Sequence, residues 1–94
     1  MNPIKDRFRI DNFKEMLDHI ERMGRPEHLP ELENVVIREI AYLISEGTDT
    51  AKAELLKLEK MLDDMNVSPN NKLLLSALKN SIKGALSVAK FCLL

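Results

Sequence analysis

Two histidines and their acidic neighbours are the residues whose types and spacing come nearest to a catalytic or metal-binding motif. His19 follows Glu15 by four residues, and His28 precedes Glu31 by three. A di-iron site in a helical bundle needs two Glu-x-x-His motifs, and neither pair has that order and spacing. We therefore expect no metal site and no cofactor, with His19 as a boundary residue beside Asp18 and His28 exposed in a loop.

The single cysteine, Cys92, lies in the apolar stretch "FCLL", where Lys90 is the nearest charged residue. The sequence contains no zinc-binding spacing and no Ser-His-Asp set, and its three glycines are too scattered to form a phosphate-binding loop. We interpret Cys92 as a filler of a core or an interface, and we expect no catalytic residues and no enzyme activity. One cysteine and no signal peptide at "MNPIKDRFRI" predict a cytoplasmic protein.

Charge is distributed unevenly along the chain. Residues 1–66 carry ten Lys and Arg against fifteen Asp and Glu, a net charge of −5, whereas residues 67–94 carry four lysines and no acid, a net charge of +4. Two interpretations are open. The basic segment either neutralises the acidic helices inside one bundle or presents a cationic surface to an anion. The lysines that would bind the anion are Lys72, Lys79, Lys83 and Lys90.

The composition predicts an all-α fold. Tryptophan is absent and only 4% of the residues are aromatic, so the core must be built from aliphatic side chains. Helical periodicity and turn residues divide the chain into an arm (1–10) and four helices (about 11–23, 30–46, 50–65 and 69–94). Expected helix caps and stops are Asp11, Gly47, Asp49 or Thr50, and Ser68.

Short connections between these helices predict an antiparallel up-and-down four-helix bundle in a single domain. The second helix should be central, because it is apolar over more than half of its circumference. The fourth should be the longest. A three-helix core with a detached or swapped fourth helix is the alternative architecture.

The fourth helix carries a ridge of small residues, Ala77, Ser81, Ala85 and Ala89, with Gly84 beside it. Small residues at four-residue spacing let a second helix approach closely. Glycine in a helix interior costs about 1 kcal/mol relative to alanine, which suggests that Gly84 makes a tight packing contact. That contact lies either within the bundle or at an interface with another molecule.

The same helix ends in residues that are apolar on nearly every side, and such a surface needs cover. The candidates are the chain's own Ile4, Phe8 and Ile10 folding over Phe91 and Leu94, a second copy, or an unrelated partner or membrane. The predicted interface comprises Ala77, Ser81, Gly84, Ala85, Val88, Ala89, Phe91, Cys92, Leu93 and Leu94.

These observations predict a non-enzymatic helical protein–protein interaction module that forms a homodimer through its last helix, or binds another helical protein. The alternative is an anion-binding regulator that uses the four lysines on nucleic acid or an acidic membrane surface. An isoelectric point near 6.1 and the lack of aromatic residues among the lysines argue against nucleic acid. Lys79, Lys83 and Lys90 interrupt the apolar stretch 73–94, which argues against a membrane span of about 20 residues.

Overall fold

The computed structural model describes residues 9–67 and 69–93, which form four α-helices and no β-strand. This confirms the predicted all-α fold. The predicted arm lies almost wholly outside the described residues, as do the expected cap Ser68 and the terminal Leu94. The helices are α1 (Phe13–Arg22), α2 (Leu29–Glu46), α3 (Asp49–Asp63) and α4 (Lys72–Leu93), with 3-10 turns at Ile10–Asn12, Pro26–His28 and Pro69–Asn71.

α1 begins at Phe13. Asp11 was expected to be its N-cap, and this prediction is wrong. The N-cap position is Asn12, which makes no capping hydrogen bond through its side chain. The Asp11 carboxylate instead accepts a hydrogen bond of 2.7 Å from the Nζ atom of Lys57 on α3. The chain enters α1 through the 3-10 turn Ile10–Asn12.

A two-residue turn, Gly47 and Thr48, joins α2 to α3. Gly47 has φ 63°, and its N–H donates to the carbonyl of Leu43 at 3.1 Å, which confirms the predicted glycine stop. The cap of α3 is Thr48, so the prediction of Asp49 or Thr50 is wrong. The Oγ1 atom of Thr48 accepts a hydrogen bond of 3.0 Å from the N–H of Ala51.

α4 has 22 residues and α2 has 18, so the last helix is the longest, as predicted, but by a smaller margin. Residues 69–71 form a 3-10 turn in place of the first α-helical turn that was expected there. Within residues 9–67 and 69–93, no helix combines the length and the apolar character that a membrane span requires.

Ion pairs show how α3 and α4 run past each other. Asp63 lies 3.0 Å from Lys83, and Glu59 lies 2.8 Å from Lys90. Residue numbers therefore fall along α3 as they rise along α4, which means that the two helices are antiparallel. The short turn between α2 and α3 imposes the same relation on that pair, in agreement with the up-and-down prediction.

α2 is the central helix, as its broad apolar surface predicts, because it packs against α1, α3 and α4. Its contact with α4 is the most extensive in the molecule, although these two helices would be diagonal in a square bundle. α1 packs on α2 and hardly meets α4. The bundle is accordingly flat, with Cα positions spanning 37 × 32 × 17 Å.

The core draws aliphatic side chains from every helix and from the turn before α1. Ile10, which was assigned to the arm, is fully buried. Glu39 is the buried charged residue of the described chain, with 5% of its surface exposed. It has an interaction partner. The buried residues of α4 are Leu75, Leu78, Ile82, Leu86 and Ala89.

Candidate interaction surface

α4 turns one complete face away from the bundle. Its buried residues recur at three- and four-residue steps and direct one side of the helix into the core. The residues on the opposite side are all exposed, and none of them is charged. We call the following eight of them the outward face: Leu73, Ala77, Asn80, Ser81, Gly84, Val88, Phe91 and Cys92.

Large apolar side chains stand at both ends of the outward face. Leu73 exposes 86% of its surface, Phe91 exposes 88% and Val88 exposes 59%. A helix on the surface of a globular protein ordinarily presents charged or polar residues to water. In α4 the lysines lie to one side of the outward face, so this face lacks the charges that a surface helix ordinarily presents.

Six of the ten predicted interface residues lie on the outward face: Ala77, Ser81, Gly84, Val88, Phe91 and Cys92. Ala89 is fully buried in the chain's own core, so its inclusion is wrong. Ala85 and Leu93 are half-buried and pack against the core, so they are also part of the bundle. Leu94 lies outside the described residues.

Gly84 does not make the intramolecular packing contact that was one interpretation of it. A Cβ atom built on Gly84 meets nothing within 4 Å. The interpretation of Cys92 as a core filler is also wrong, because Cys92 is exposed. For both residues, the interface interpretation stays a prediction.

Ile10 does not cover the apolar end of α4. It is buried in the core of the bundle, whereas Phe91 remains exposed. The other proposed covering residues, Ile4 and Phe8, lie outside the described residues. Among the described residues Phe91 is exposed, and what covers it stays a prediction.

Leu73 and Asn80 belong to the outward face and were missed from the sequence. A helix has 3.6 residues per turn, so residues 18 apart are separated by five complete turns and point the same way. Leu73 precedes Phe91 by this interval. That spacing was the available signal.

The four lysines of α4 divide into two groups. Lys83 and Lys90 are paired with Asp63 and Glu59 of α3, so they neutralise acids of the bundle. Lys72 and Lys79 form no ion pair with any residue in the described ranges. Two lysines make a weak electrostatic site, and the binding of nucleic acid or acidic lipid stays a prediction with less support.

Neither histidine lies on the outward face of α4. His19 is exposed in the last turn of α1, and His28 lies in a 3-10 turn with its Nδ1 atom 3.5 Å from Glu31 Oε2. Within residues 9–67 and 69–93, no three His, Cys, Asp or Glu residues are grouped so that they could hold a metal ion.

A groove of about 370 Å³ lies between α1 and the end of α3. The Oε1 atom of Glu21, one of its lining residues, is buried without a hydrogen-bond partner in the described part of the chain. The groove combines apolar and acidic side chains but contains no nucleophile paired with a base. It is lined by Phe13, Lys14, Leu17, Asp18, Glu21, Met61, Asp64, Met65 and Asn66.

Comparison with protein-family models, with curated proteins and with solved structures finds no match for this chain.

Proposed function

We propose that this protein is a small non-enzymatic helical interaction module of the cytoplasm, which self-associates through the outward face of α4. The observation that carries the proposal is the exposure of Leu73 and Phe91 at the two ends of an uncharged helix face. The free, exposed thiol of Cys92 is compatible with a reducing compartment.

Burial of the exposed apolar side chains supplies the driving force. Removing a Val, Leu or Phe side chain from water contributes about 1.5–3 kcal/mol. A homodimer would bury Leu73, Val88 and Phe91 of each copy. Their combined contribution exceeds the lower estimates of the entropy lost on association, which begin at about 4 kcal/mol.

A second copy is the partner that the composition of the outward face favours. A two-fold symmetric interface joins the same surface patch of two subunits, so charges on that patch often face like charges. The outward face has none, and two copies can meet without that repulsion. A different protein with its own apolar helix is the alternative partner.

The experiment is to place one carboxylate at either end of the outward face. Leu73→Glu and Phe91→Glu should each raise the dissociation constant of the dimer at least about 100-fold, because each interface would then bury two unpaired charges. Light scattering over a series of protein concentrations measures the change. Both side chains are exposed in the single chain, so neither substitution disturbs the core.

Met16→Glu is the matched control, since Met16 is an exposed apolar residue on α1, which hardly meets α4. This variant should dimerise like the wild type, and circular dichroism should show equal helix content in all four proteins. A wild type that stays monomeric at every concentration up to about 1 mM overturns self-association, as does a dimer that survives both carboxylates.

A further inference from the structure

Side-chain size along the outward face is nearly symmetric about its middle. Leu73 is large at one end, and Val88 and Phe91 are large at the other. The positions between them are smaller: Ala77, Ser81 and Gly84 are small, Asn80 is of intermediate size, and Gly84 has open space beside it. The face is therefore low in its centre and high at both ends.

The largest residue at each end, Leu73 and Phe91, defines the midpoint of the face. Leu73 lies nine residues before Ile82, and Phe91 lies nine residues after it. Reversing the helix about Ile82 therefore places Leu73 at the former level of Phe91. Ser81 and Gly84 fall on either side of the same point.

We infer that two copies pair α4 against α4 in antiparallel orientation, with the two-fold axis passing between Ser81 and Gly84. The inference rests on the self-association proposed above and adds the geometry of the interface. The small residues form the crossing, where the two helix backbones are closest. Leu73 of each copy packs beside Phe91 of the other at the two ends.

A parallel pair fits the same surface less well. It would put Leu73 against Leu73 at one end and Phe91 against Phe91 at the other, so the two ends would need different helix separations. It would also place like ends of the two helix dipoles together, which is unfavourable, whereas an antiparallel pair joins opposite ends.

Two of the four lysines do not oppose the antiparallel arrangement, whereas Lys72 and Lys79, which have no ion pair with the described residues, keep uncompensated charges there. An axis perpendicular to the helices brings the lysine rows of both copies to the same side of the pair. Lys83, near the middle of the row, is already paired with Asp63 of its own chain. Lys90, at the end of the row, is paired with Glu59. Their charges are thus compensated before the second copy arrives.

The size of the surface indicates a weak, reversible dimer. At 1.5 Å per residue the 22 residues of α4 extend about 33 Å, and a helix with side chains is about 10–12 Å wide. One face then covers roughly 350 Å² in projection, so two copies lose at least about 700 Å². The accessible surface that is buried is larger than this projected area. Specific interfaces begin at about 1,200 Å² of buried accessible surface, so this dimer lies at the weak end of the range.

Cys92 makes the orientation measurable. In the antiparallel pair the two Cys92 residues are 20 levels apart along the helix, or about 30 Å, whereas a disulfide needs Cα atoms within about 7 Å. In a parallel pair the same two residues lie at one level. Oxidation of the wild type by oxidised glutathione should therefore give no covalent dimer if the pair is antiparallel.

Two variants supply the positive signals for full-length protein under the same oxidant. Ser81→Cys in a Cys92→Ser background should form a covalent dimer quickly, because its thiols face each other near the axis. Leu73→Cys in the same background, mixed with wild type, should form a mixed disulfide with Cys92. Rates relative to those in denaturant correct for differences in thiol reactivity.

The mixed disulfide, without a Cys92–Cys92 disulfide, supports the antiparallel pair. A Cys92–Cys92 disulfide that forms faster than the mixed one, in a protein that light scattering shows to dimerise, overturns the orientation and leaves the proposed function standing. A protein that light scattering shows to be monomeric, with no accelerated disulfide at any position, overturns both.

Discussion

Lys57 is the residue through which the start of the described chain is tied to α3. Its Nζ atom lies 2.7 Å from Asp11, which is 46 residues away in sequence, and 3.7 Å from Glu54 on the same helix. The hydrogen bond to Asp11, followed by the charges of Glu54 and Asp11, raises the pKa of Lys57 above its ordinary value. The protonated form is therefore the one that the fold favours.

This direction fixes how Lys57 contributes to stability as pH changes. A group whose pKa is raised by folding stabilises the protein fully below its unfolded pKa, about 10.4 for lysine, and the contribution is lost as pH rises through the folded value. Lys57→Met should therefore lower the free energy of unfolding at pH 9. The difference from wild type should shrink above about pH 10.5. Urea denaturation at each pH measures both quantities.

Lys60→Met is the control for this prediction, because Lys60 is exposed on the same helix and has no ion pair with the described residues. Asp11→Asn should reproduce the loss at pH 9, since it removes the main partner. A gap between wild type and Lys57→Met that stays constant from pH 9 to pH 12 would contradict this assignment.

Caps show what can and cannot be predicted for single residues. Gly47 was predictable because a left-handed stop after an apolar helix has one favoured residue type. Asp11 and Thr48 were not, because several capping residues stood near each helix start and the choice depends on contacts made elsewhere. The Asp11 carboxylate accepts a hydrogen bond from Lys57 on α3. No local sequence pattern indicates this partner, because it lies 46 residues away.

At the scale of the helix, Gly84 should have opposite effects on folding and on association. Its added Cβ atom would meet no atom of the same chain, so Gly84→Ala should raise the free energy of unfolding of the monomer by about 0.5–1 kcal/mol. The same methyl group would hold the two helices of the antiparallel pair apart. We expect the dissociation constant to rise about 10-fold, which corresponds to about 1.4 kcal/mol.

Chemical denaturation at low concentration measures the first effect, and analytical ultracentrifugation measures the second. Ala53→Gly, at an exposed position of α3, is the matched control and should lower monomer stability without changing the dissociation constant. If Gly84→Ala strengthens the dimer, the crossing does not pass over Gly84.

Helix faces were predictable in part. Spacing identified most of the outward face through the ridge of small residues and the apolar end of the helix, because a helix imposes a fixed periodicity. Spacing did not show whether Ala85, Ala89 and the residues near them face the core or another molecule. The answer depends on which helix packs beside α4. The apolar pattern of α4 fits more than one neighbouring helix, so the pattern alone does not identify that neighbour.

For the molecule as a whole, the proposed self-association would couple thermal stability to protein concentration. A ligand that binds the folded state stabilises it by mass action, and here the ligand is a second copy. Above the dissociation constant, each tenfold increase in concentration should raise the thermal midpoint by roughly 3–5 °C. Differential scanning calorimetry from about 10 µM to 1 mM covers the range expected for a weak dimer.

Phe91→Glu should abolish this concentration dependence while leaving the midpoint of the dilute protein nearly unchanged, because Phe91 contributes little to the core. A thermal midpoint that rises equally with concentration in wild type and variant would locate the association elsewhere on the molecule.

The arrangement of the whole bundle was only partly contained in the sequence. Short connections predicted antiparallel neighbours, and the ion pairs of α3 with α4 agree with this. Nothing in the periodicity indicated that α2 would pack most extensively on α4 while α1 lay aside. That displacement leaves the outward face of α4 without cover from α1.

The two-residue connection of Gly47 and Thr48 also has a consequence for the order of folding. Closing so short a loop sacrifices little chain entropy, so α2 and α3 pair at the lowest entropic cost in the molecule. The larger contact of α2 with α4 joins residues much farther apart and recovers its cost only after that hairpin exists. We expect α4 to dock after this hairpin has formed, and until it does, its core-facing leucines and its outward face are exposed together.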